Sequence, residues 1–285
     1  METIFRPGTV EDAKACGAIC YEAFKTIAEQ HHFPQDFPSV DTAVGLLTMV
    51  LSRSDVFSVV AECDGQVVGS NFLWEGDTIA GVGPITVLPS SQNSSVGCQL
   101  VMRVLDRAHG QRKVGVRLVQ AAYHNRSLSL YSKLGFDARE PLSAMQGPAL
   151  KLEIPGYRVR PATGDDLDVC NRLCLSVHGH DRRVEVAAAI TQGTARVVER
   201  GGSVTGYATD IGYFGHAVYR TNEELKALIG EATAISGPGF LLPTRNAELF
   251  RWCLAHGLRV VHPMTLMSRG LYQEPTGAFL PSVLY

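Results

Sequence analysis

An apolar run, Val82–Leu88, leads through Pro89-Ser90-Ser91-Gln92-Asn93-Ser94-Ser95-Val96-Gly97 into residues with helical spacing, and a phenol, Tyr131, follows on a second short helix. A chain that leaves a strand and turns straight into a helix presents unpaired backbone N–H groups at the positive end of the helix dipole, where phosphate or pyrophosphate binds favourably. Gly97 lets the backbone come close to such a ligand, and Ser94 and Ser95 offer hydroxyl donors as well as helix caps. The same serine-rich turn also serves as a plain helix start, and on this segment alone both readings stand. Tyr131 has two readings as well: a phenol beside an anionic cofactor, or a ring packed into the core with its hydroxyl at the surface.

The elements that must position these residues follow from periodicity. Leu100, Val101, Val104, Leu105 and Ala108 recur as one buried face of a helix. Val116–Ala122 reads as a strand, and Leu128, Leu130, Tyr131 and Leu134 as a short amphipathic helix ended by Gly135. In this order Gln92-x-x-Ser95-x-Gly97 resembles the Gln/Arg-x-x-Gly-x-Gly/Ala motif of the GCN5-related N-acetyltransferases. Asn125 through Leu130-Tyr131-Ser132-Lys133-Leu134-Gly135-Phe136 resembles their Asn-x-x-Ala-x-x-Leu-Tyr-x-Lys-x-Gly-Phe motif.

The resemblance is to the superfamily, covers roughly residues 1–150, and implies acetyl-CoA as cosubstrate. It further implies that Val87 and Leu88 line the pantetheine arm, and that Gln92, Asn93, Ser94, Ser95, Val96, Gly97 and Cys98 hold the pyrophosphate. Asn125 and Lys133 then belong to the facing cofactor wall, with Tyr131 near the thioester sulfur. Ser95 stands where the family has its first glycine. If its backbone must take a positive φ, its side chain costs on the order of 1 kcal/mol. The loop also lacks the Arg or Lys common beside that glycine.

With 285 residues and 45% hydrophobic content, the chain is long enough for two modest cores. A formal net charge of −2 gives no nucleic-acid footprint, and neither a basic-then-apolar leader nor a membrane-length apolar run occurs. A soluble, cytoplasmic, monomeric or homodimeric protein is expected. Seven cysteines, an odd number, read as reduced thiols. Cys16 and Cys20, and again Cys170 and Cys174, stand at i, i+4; without His or carboxylate partners they read as core packing, and no metal is expected.

Those cysteine pairs belong to a larger echo. Phe5-Arg6-Pro7-Gly8-Thr9-Val10-Glu11-Asp12 returns as Val159-Arg160-Pro161-Ala162-Thr163-Gly164-Asp165-Asp166, and one offset of 154 residues relates Arg6 to Arg160, Cys16 to Cys170 and Cys20 to Cys174. In each copy an edge strand enters a helix capped by Thr9 or Thr163 with acids in its first turn. Asn246–Leu258 is similar to Asn125–Phe136, with Cys253 in the place of Tyr131 and Gly257 in that of Gly135. No phosphate-type loop lies between residues 180 and 240, so the second copy reads as degenerate and structural. The expectation is an α+β chain of two tandem acyl-CoA N-acyltransferase-like (GNAT) domains, 1–153 and 158–285. Each would be a mixed, mostly antiparallel sheet flanked by helices, joined through Glu153-Ile154-Pro155-Gly156-Tyr157.

Acyl transfer to an amine needs a neutral amine, polarisation of the thioester carbonyl and a proton for the leaving thiolate. By the resemblance, a backbone N–H at Val87 or Leu88 polarises the carbonyl, and Tyr131 protonates the thiolate. Relatives often carry a Glu on the strand before the phosphate loop, yet no ionisable side chain lies between Ala80 and Pro89. Glu75, Asp77 and His124 remain as candidate bases, each also readable as an ordinary polar residue; a water chain would need none. Glu29–Pro38, with His31, His32, Phe33 and Phe37, reads as an acceptor lid. The leading expectation is an N-acetyltransferase acting on a small-molecule primary amine. A non-catalytic acyl-CoA-binding protein and a nucleotide-binding protein that shares the phosphate turn are the alternatives.

Overall fold

The computed structural model describes residues 3–284; Met1, Glu2 and Tyr285, at the outer ends of the two segments drawn from the sequence, lie outside the described residues. Contacts divide the chain into two compact units, residues 1–118 with 123–137, and residues 119–122 with 138–285.

In the first unit β1 (Thr3–Pro7) leads to α1 (Ala13–Gln30) and α2 (Val40–Leu51), followed by β2 (Val56–Cys63), β3 (Gln66–Trp74), β4 (Ile79–Val82) and β5 (Thr86–Val87). Then come α3 (Val96–Gly110), β6 (Gly115–Ala121) and α4 (Asn125–Lys133). Strands β1, β2, β3 and β4 pair antiparallel in that order, and β4 runs parallel to β6, Ile79–Gly81 against Gly115–Arg117. Cys16 and Cys20 of α1 pack with Leu47, Val50, Val60 and Phe72, all buried. Burial pushes the Cys16 thiol up to about 11 and Cys20 further in the same direction, so both are neutral packing groups.

The strand that leads to the phosphate-type turn is broken. β4 stops at Val82, the chain turns through a cis Gly83–Pro84 bond, and β5 pairs with β3 alone. A 3-10 turn at Pro89–Ser91 follows, and then Asn93 and Ser95 stand in the left-handed region at φ 66° and 62°. Ser95 is the residue before α3, and its carbonyl accepts the first helical bond from the Gln99 N–H at 3.0 Å.

The second unit adds β7 (Asp137–Gln146), β8 (Arg158–Pro161), α5 (Leu167–His178), α6 (Arg183–Gln192), β9 (Arg196–Arg200), β10 (Ser203–Ala208) and β11 (Ala217–Tyr219). It is completed by α7 (Asn222–Glu231), β12 (Phe240–Pro243), α8 (Ala247–Ala255), β13 (Arg259–Gly270) and β14 (Ala278–Leu280). Strands β14-β11-β10-β9-β8 form one antiparallel sheet. The contacts divide the chain before residue 153, where composition places the boundary. From Ala138 onward β7 belongs to the second unit, because Leu142–Met145 pair with Phe240–Pro243 and Met145 enters a core with Phe240, Leu242, Leu249 and Cys253. A buried polar chain ties α6 to the β10–β11 hairpin: the Tyr207 hydroxyl and His216 Nε2 lie 2.9 Å apart, and Glu185 bridges His216 Nδ1 at 2.7 Å to Arg182 Nε at 2.8 Å.

The echoed Arg-Pro segments fold into the same clasp. Arg6 donates to both Asp12 oxygens at 2.8 Å and to Glu62 at 2.9 Å, while Asp12 accepts the Thr9 N–H at 2.9 Å. Arg160 donates to Asp166 at 2.7 and 2.8 Å and to Glu199 at 2.7 Å, while Asp166 accepts the Thr163 N–H at 2.8 Å. Each clasp fixes a strand to the start of a helix through charge-assisted bonds. Among the described residues no helix is long and apolar enough to cross a membrane.

Two expectations follow from these local geometries. The bond to Arg160 holds the Asp166 carboxyl down at about 2. Its contribution is therefore complete above the ordinary carboxylate range and disappears as pH falls through about 4 towards 2. Asp166→Asn should cost about 1–2 kcal/mol at pH 7 and converge on the parent near pH 2 in urea melts; an equal deficit at both pH values contradicts the assignment. Ser95 keeps a left-handed backbone with a side chain attached, so Ser95→Gly should raise stability by about 0.5–1 kcal/mol and Ser95→Val should lower it, as read by thermal denaturation.

Candidate functional site

Register fixes what the broken strand can offer. Val87 lies opposite Gly69, and the Leu88 N–H is donated to the Val68 carbonyl at 2.8 Å. In an antiparallel ladder the neighbouring residue then points its N–H and C=O to the opposite edge. Of the two candidates for carbonyl polarisation, Leu88 is therefore occupied, and Val87 turns its N–H away from β3. The Gln92 amide donates to the Val87 carbonyl at 3.1 Å, which shows that this edge is reachable.

The first turn of α3 leaves its backbone N–H groups open, as an anion would require. Val96, Gly97 and Cys98 precede the first helical bond, no side chain caps them, and the first turn holds no acidic residue. The Val96 side chain is buried, so what it offers is its backbone N–H. A Cβ at Gly97 would meet nothing nearer than Leu130 Cδ2 and Val87 Cγ2, both at 3.7 Å. Glycine here is required neither by a neighbour nor by its dihedral, although it costs about 1 kcal/mol against alanine within a helix. Ser94 and Asn93 sit on the outer loop, where the Ser94 hydroxyl bonds to the Ser91 carbonyl; Cys98 is half-buried against Met102, its sulfur 3.9 Å from the thioether.

α4 presents two stripes. Arg126, Leu130 and Lys133 share one face at i, i+4 and i+7; Arg126 donates to Gln92 at 2.8 Å, and Leu130 is the residue beside Gly97. Arg126 is thus a cation at the loop that lacks one of its own. Lys133 and Asn125 are exposed, the former on that same face and the latter at the first position of the helix. The second stripe is His124, Ser127 and Tyr131. The Ser127 hydroxyl and His124 Nδ1 lie 2.5 Å apart.

Tyr131 is 5% exposed and meets Phe136 edge-on at 6.0 Å. Burial pushes its phenol above the usual range, with Ser127 drawing it partly back, so the hydroxyl stays protonated. Burial, together with Arg126 and His31, lowers His124 to about 4, which keeps the imidazole neutral. The segment after α1 reaches the same end of the unit: Phe33 stacks on Tyr123 at 4.2 Å, with His31 5.4 Å from the same ring. Asp36, half-buried there, is raised to about 6 by burial.

Glu75 is not brought to this cluster. It forms a two-pronged ion pair with Arg107 at 2.7 and 3.0 Å, and Arg107 lies eleven residues beyond the start of α3, about 16 Å along the helix. Asp77 is at the same distant end, its carbonyl accepting from Lys113 at 2.6 Å. His124 alone among the three candidate bases stands next to Tyr131. Arg126 and Ser127 were missed by motif reading; the i, i+3, i+4 and i+7 spacing around Tyr131 is the signal that could have found them.

The second unit closes the corresponding places. α7 begins with a capping box in which Thr221 and Glu224 bond to each other's backbone N–H groups, and Glu223 and Glu224 make its first turn acidic. Side chains thus occupy part of this helix start, and its first turn is negatively charged. Cys253 stands where the first unit has Tyr131; it is fully buried, and its thiol is pushed up to about 12. Both helices end alike, with Gly135 at φ 85° and Gly257 at φ 84°.

Comparison with known proteins agrees with this geometry. Residues 54–138 match the acetyltransferase (GNAT) domain model. No curated protein sequence matches the chain. Among solved structures, a Pyrococcus horikoshii protein assigned by name as an acetyltransferase superposes with a TM-score of 0.72 at 17% identity, over 97% of this chain and 94% of that one. A GCN5-related N-acetyltransferase from Sphaerobacter thermophilus gives 0.64 at 14% identity, over 95% and 96%. A tandem GNAT protein from the clavulanic acid biosynthesis pathway gives 0.56 at 14% identity, over 94% and 98%. At these identities the likeness is one of fold, a GNAT acetyltransferase fold over nearly the whole chain, and within it residues 54–138 match the GNAT domain model.

Proposed function

We infer that the first unit is an acetyl-CoA-dependent N-acetyltransferase acting on the primary amine of a small metabolite, and that the second unit is structural. The observation that carries this reading is the contrast between two helix starts. α3 opens with uncapped N–H groups, a glycine with open space above it and Arg126 alongside, whereas α7 is capped by its own glutamates. A pyrophosphate is accepted by the first and refused by the second.

Each residue has a task set by its surroundings. Val96, Gly97 and Cys98 donate backbone N–H groups to the pyrophosphate, with Arg126 and Lys133 adding charge. Val87, at the free edge of β5, donates its N–H to the carbonyl oxygen as negative charge develops there. Tyr131, kept protonated by burial, stands as the acid for the thiolate, and His124, kept neutral, as the base for the amine. The aromatic and acidic side chains of the segment after α1, His31, Phe33 and Asp36 with Tyr123, form the acceptor side.

Three measurements test this. Thiol release from acetyl-CoA with a broad amine panel should be found for the parent chain, and Tyr131→Phe should lower kcat about 10²-fold while the thermal shift produced by CoA stays unchanged. If no amine elicits release although CoA raises the melting temperature, the chain is a binding protein and the catalytic reading is wrong. Arg126→Ala should weaken CoA binding about five- to tenfold with a smaller change in kcat, as expected for a charge-assisted contact to phosphate. Because His124 is protonated only near pH 4, assays with a weakly basic amine should keep their rate from pH 7 down to about 5; a loss centred near 6.5 would contradict a desolvated imidazole.

A further inference from the structure

One side chain bridges two walls of the candidate site. The half-buried Gln92, in the loop between β5 and α3, donates from Nε2 to the Val87 carbonyl at 3.1 Å and accepts at Oε1 from Arg126 of α4 at 2.8 Å. A Cβ placed on Gly97 would meet Val87 Cγ2 and Leu130 Cδ2, each at 3.7 Å, so β5 and α4 also flank the start of α3. The bridge ties together the two elements that meet over Gly97. Its chemistry is that of the cosubstrate expected there. A carboxamide N–H on the Val87 carbonyl is the bond an amide of a pantetheine arm makes to a strand edge, and an oxygen on Arg126 is the bond a phosphate makes to a guanidinium.

We propose that the Gln92 carboxamide is an internal stand-in for acetyl-CoA, holding the Val87 edge and Arg126 together until the cosubstrate displaces it. This rests on the acetyltransferase reading given above. With the bridge in place, the Val87 carbonyl is satisfied within the protein, and the strand edge is covered against pairing with another chain. Displacement exchanges two bonds for two of the same kind, and it frees Arg126 for a full anion in place of a neutral oxygen. One carboxamide makes both bonds, so losing either removes the restraint that positions it for the other. The backbone of Gln92 stays anchored by its N–H on the Pro89 carbonyl at 3.4 Å, so rotation of the side chain alone opens the site.

The sign of the effect separates a stand-in from a grip. A ligand that meets a site open only part of the time binds more weakly in proportion to the open fraction. Removing a stand-in therefore tightens binding, whereas removing a side chain that grips the ligand weakens it. Methionine matches glutamine in length and makes neither bond, and alanine clears the space as well.

Calorimetric titration of the whole protein with CoA should show Gln92→Met and Gln92→Ala each lowering Kd about three- to tenfold, while Arg126→Ala raises it. Pantetheine and ADP, used as the two halves of the ligand, should each gain affinity; a gain confined to one half contradicts a single carboxamide guarding both walls. A further readout needs no altered site. In 15N spectra of the parent chain without ligand, the side-chain NH2 pair that Gln92→Met removes should exchange with solvent more slowly than those of exposed glutamines, and CoA should bring it to their rate. A Kd for CoA that rises or stays the same in both variants, or a Gln92 amide that exchanges freely before CoA is added, overturns the stand-in and leaves the acetyltransferase reading intact. A parent chain that CoA neither binds nor stabilises sinks that reading and the stand-in together.

Discussion

Among the described residues, the first three backbone N–H groups of α3 precede the first helical bond and have no side-chain cap, a constraint every helix start must meet in some way. Leaving donors unbonded at a helix start is unfavourable unless water or a ligand takes them. Here the loop before the helix makes no attempt to cap them. Ser95 stands at the capping position with its backbone turned left-handed, its hydroxyl not bonded to the helix, and no acid in the first turn. The break between β4 and β5 serves the same end, because it frees one edge of Val87 beside the helix start. Arg126, reaching over from α4 to Gln92, adds charge where the loop has none.

The two halves share a scaffold device and differ in their chemistry. The Arg6–Asp12–Thr9 and Arg160–Asp166–Thr163 clasps have the same partners in the same order, and both terminal helices end on a left-handed glycine. These are features a fold needs whatever it does. At the places where the first half can do something, the second has ordinary stabilising choices: a capping box, an acidic first turn, a buried cysteine in place of a phenol. A helix start cannot be both fully capped and open to phosphate, so the capping residues mark where the two halves differ.

Much of this was legible in the residues. The Ser–Gly turn, the amphipathic helix ending at Gly135 and the 154-residue echo each rest on local rules of turn chemistry and periodicity, which act within a few residues, whereas the run Val82–Leu88, read as one strand, breaks at Gly83–Pro84. Glu75 was not legible, since an exposed-looking acid on a turn gives no hint of an arginine thirty-two positions on, at the far end of a helix. Nor was the place of β7: its apolar residues say that it is buried, but not that Phe240–Pro243 is its neighbour. Ser127 was hidden for a different reason. A serine inside a helix is unremarkable until the side chain one turn before it is known to be a histidine that bonds to it.

Desolvation acts on this site in a way that neither the motif nor any single residue discloses. The same removal of water raises Tyr131 and lowers His124, and it also raises the carboxyl of Asp36 near the acceptor side. A wet site could let charge appear on the amine, the imidazole and the phenol in turn, with solvent stabilising each. A dry one penalises every such state, and the penalty grows with each group buried. Proton movement through a dry site is least costly when no group holds the charge, which needs adjacent donors and acceptors at hydrogen-bond distance. At the start of α4 the Ser127 hydroxyl and His124 Nδ1 stand at that distance, while burial keeps both His124 and Tyr131 in their neutral forms.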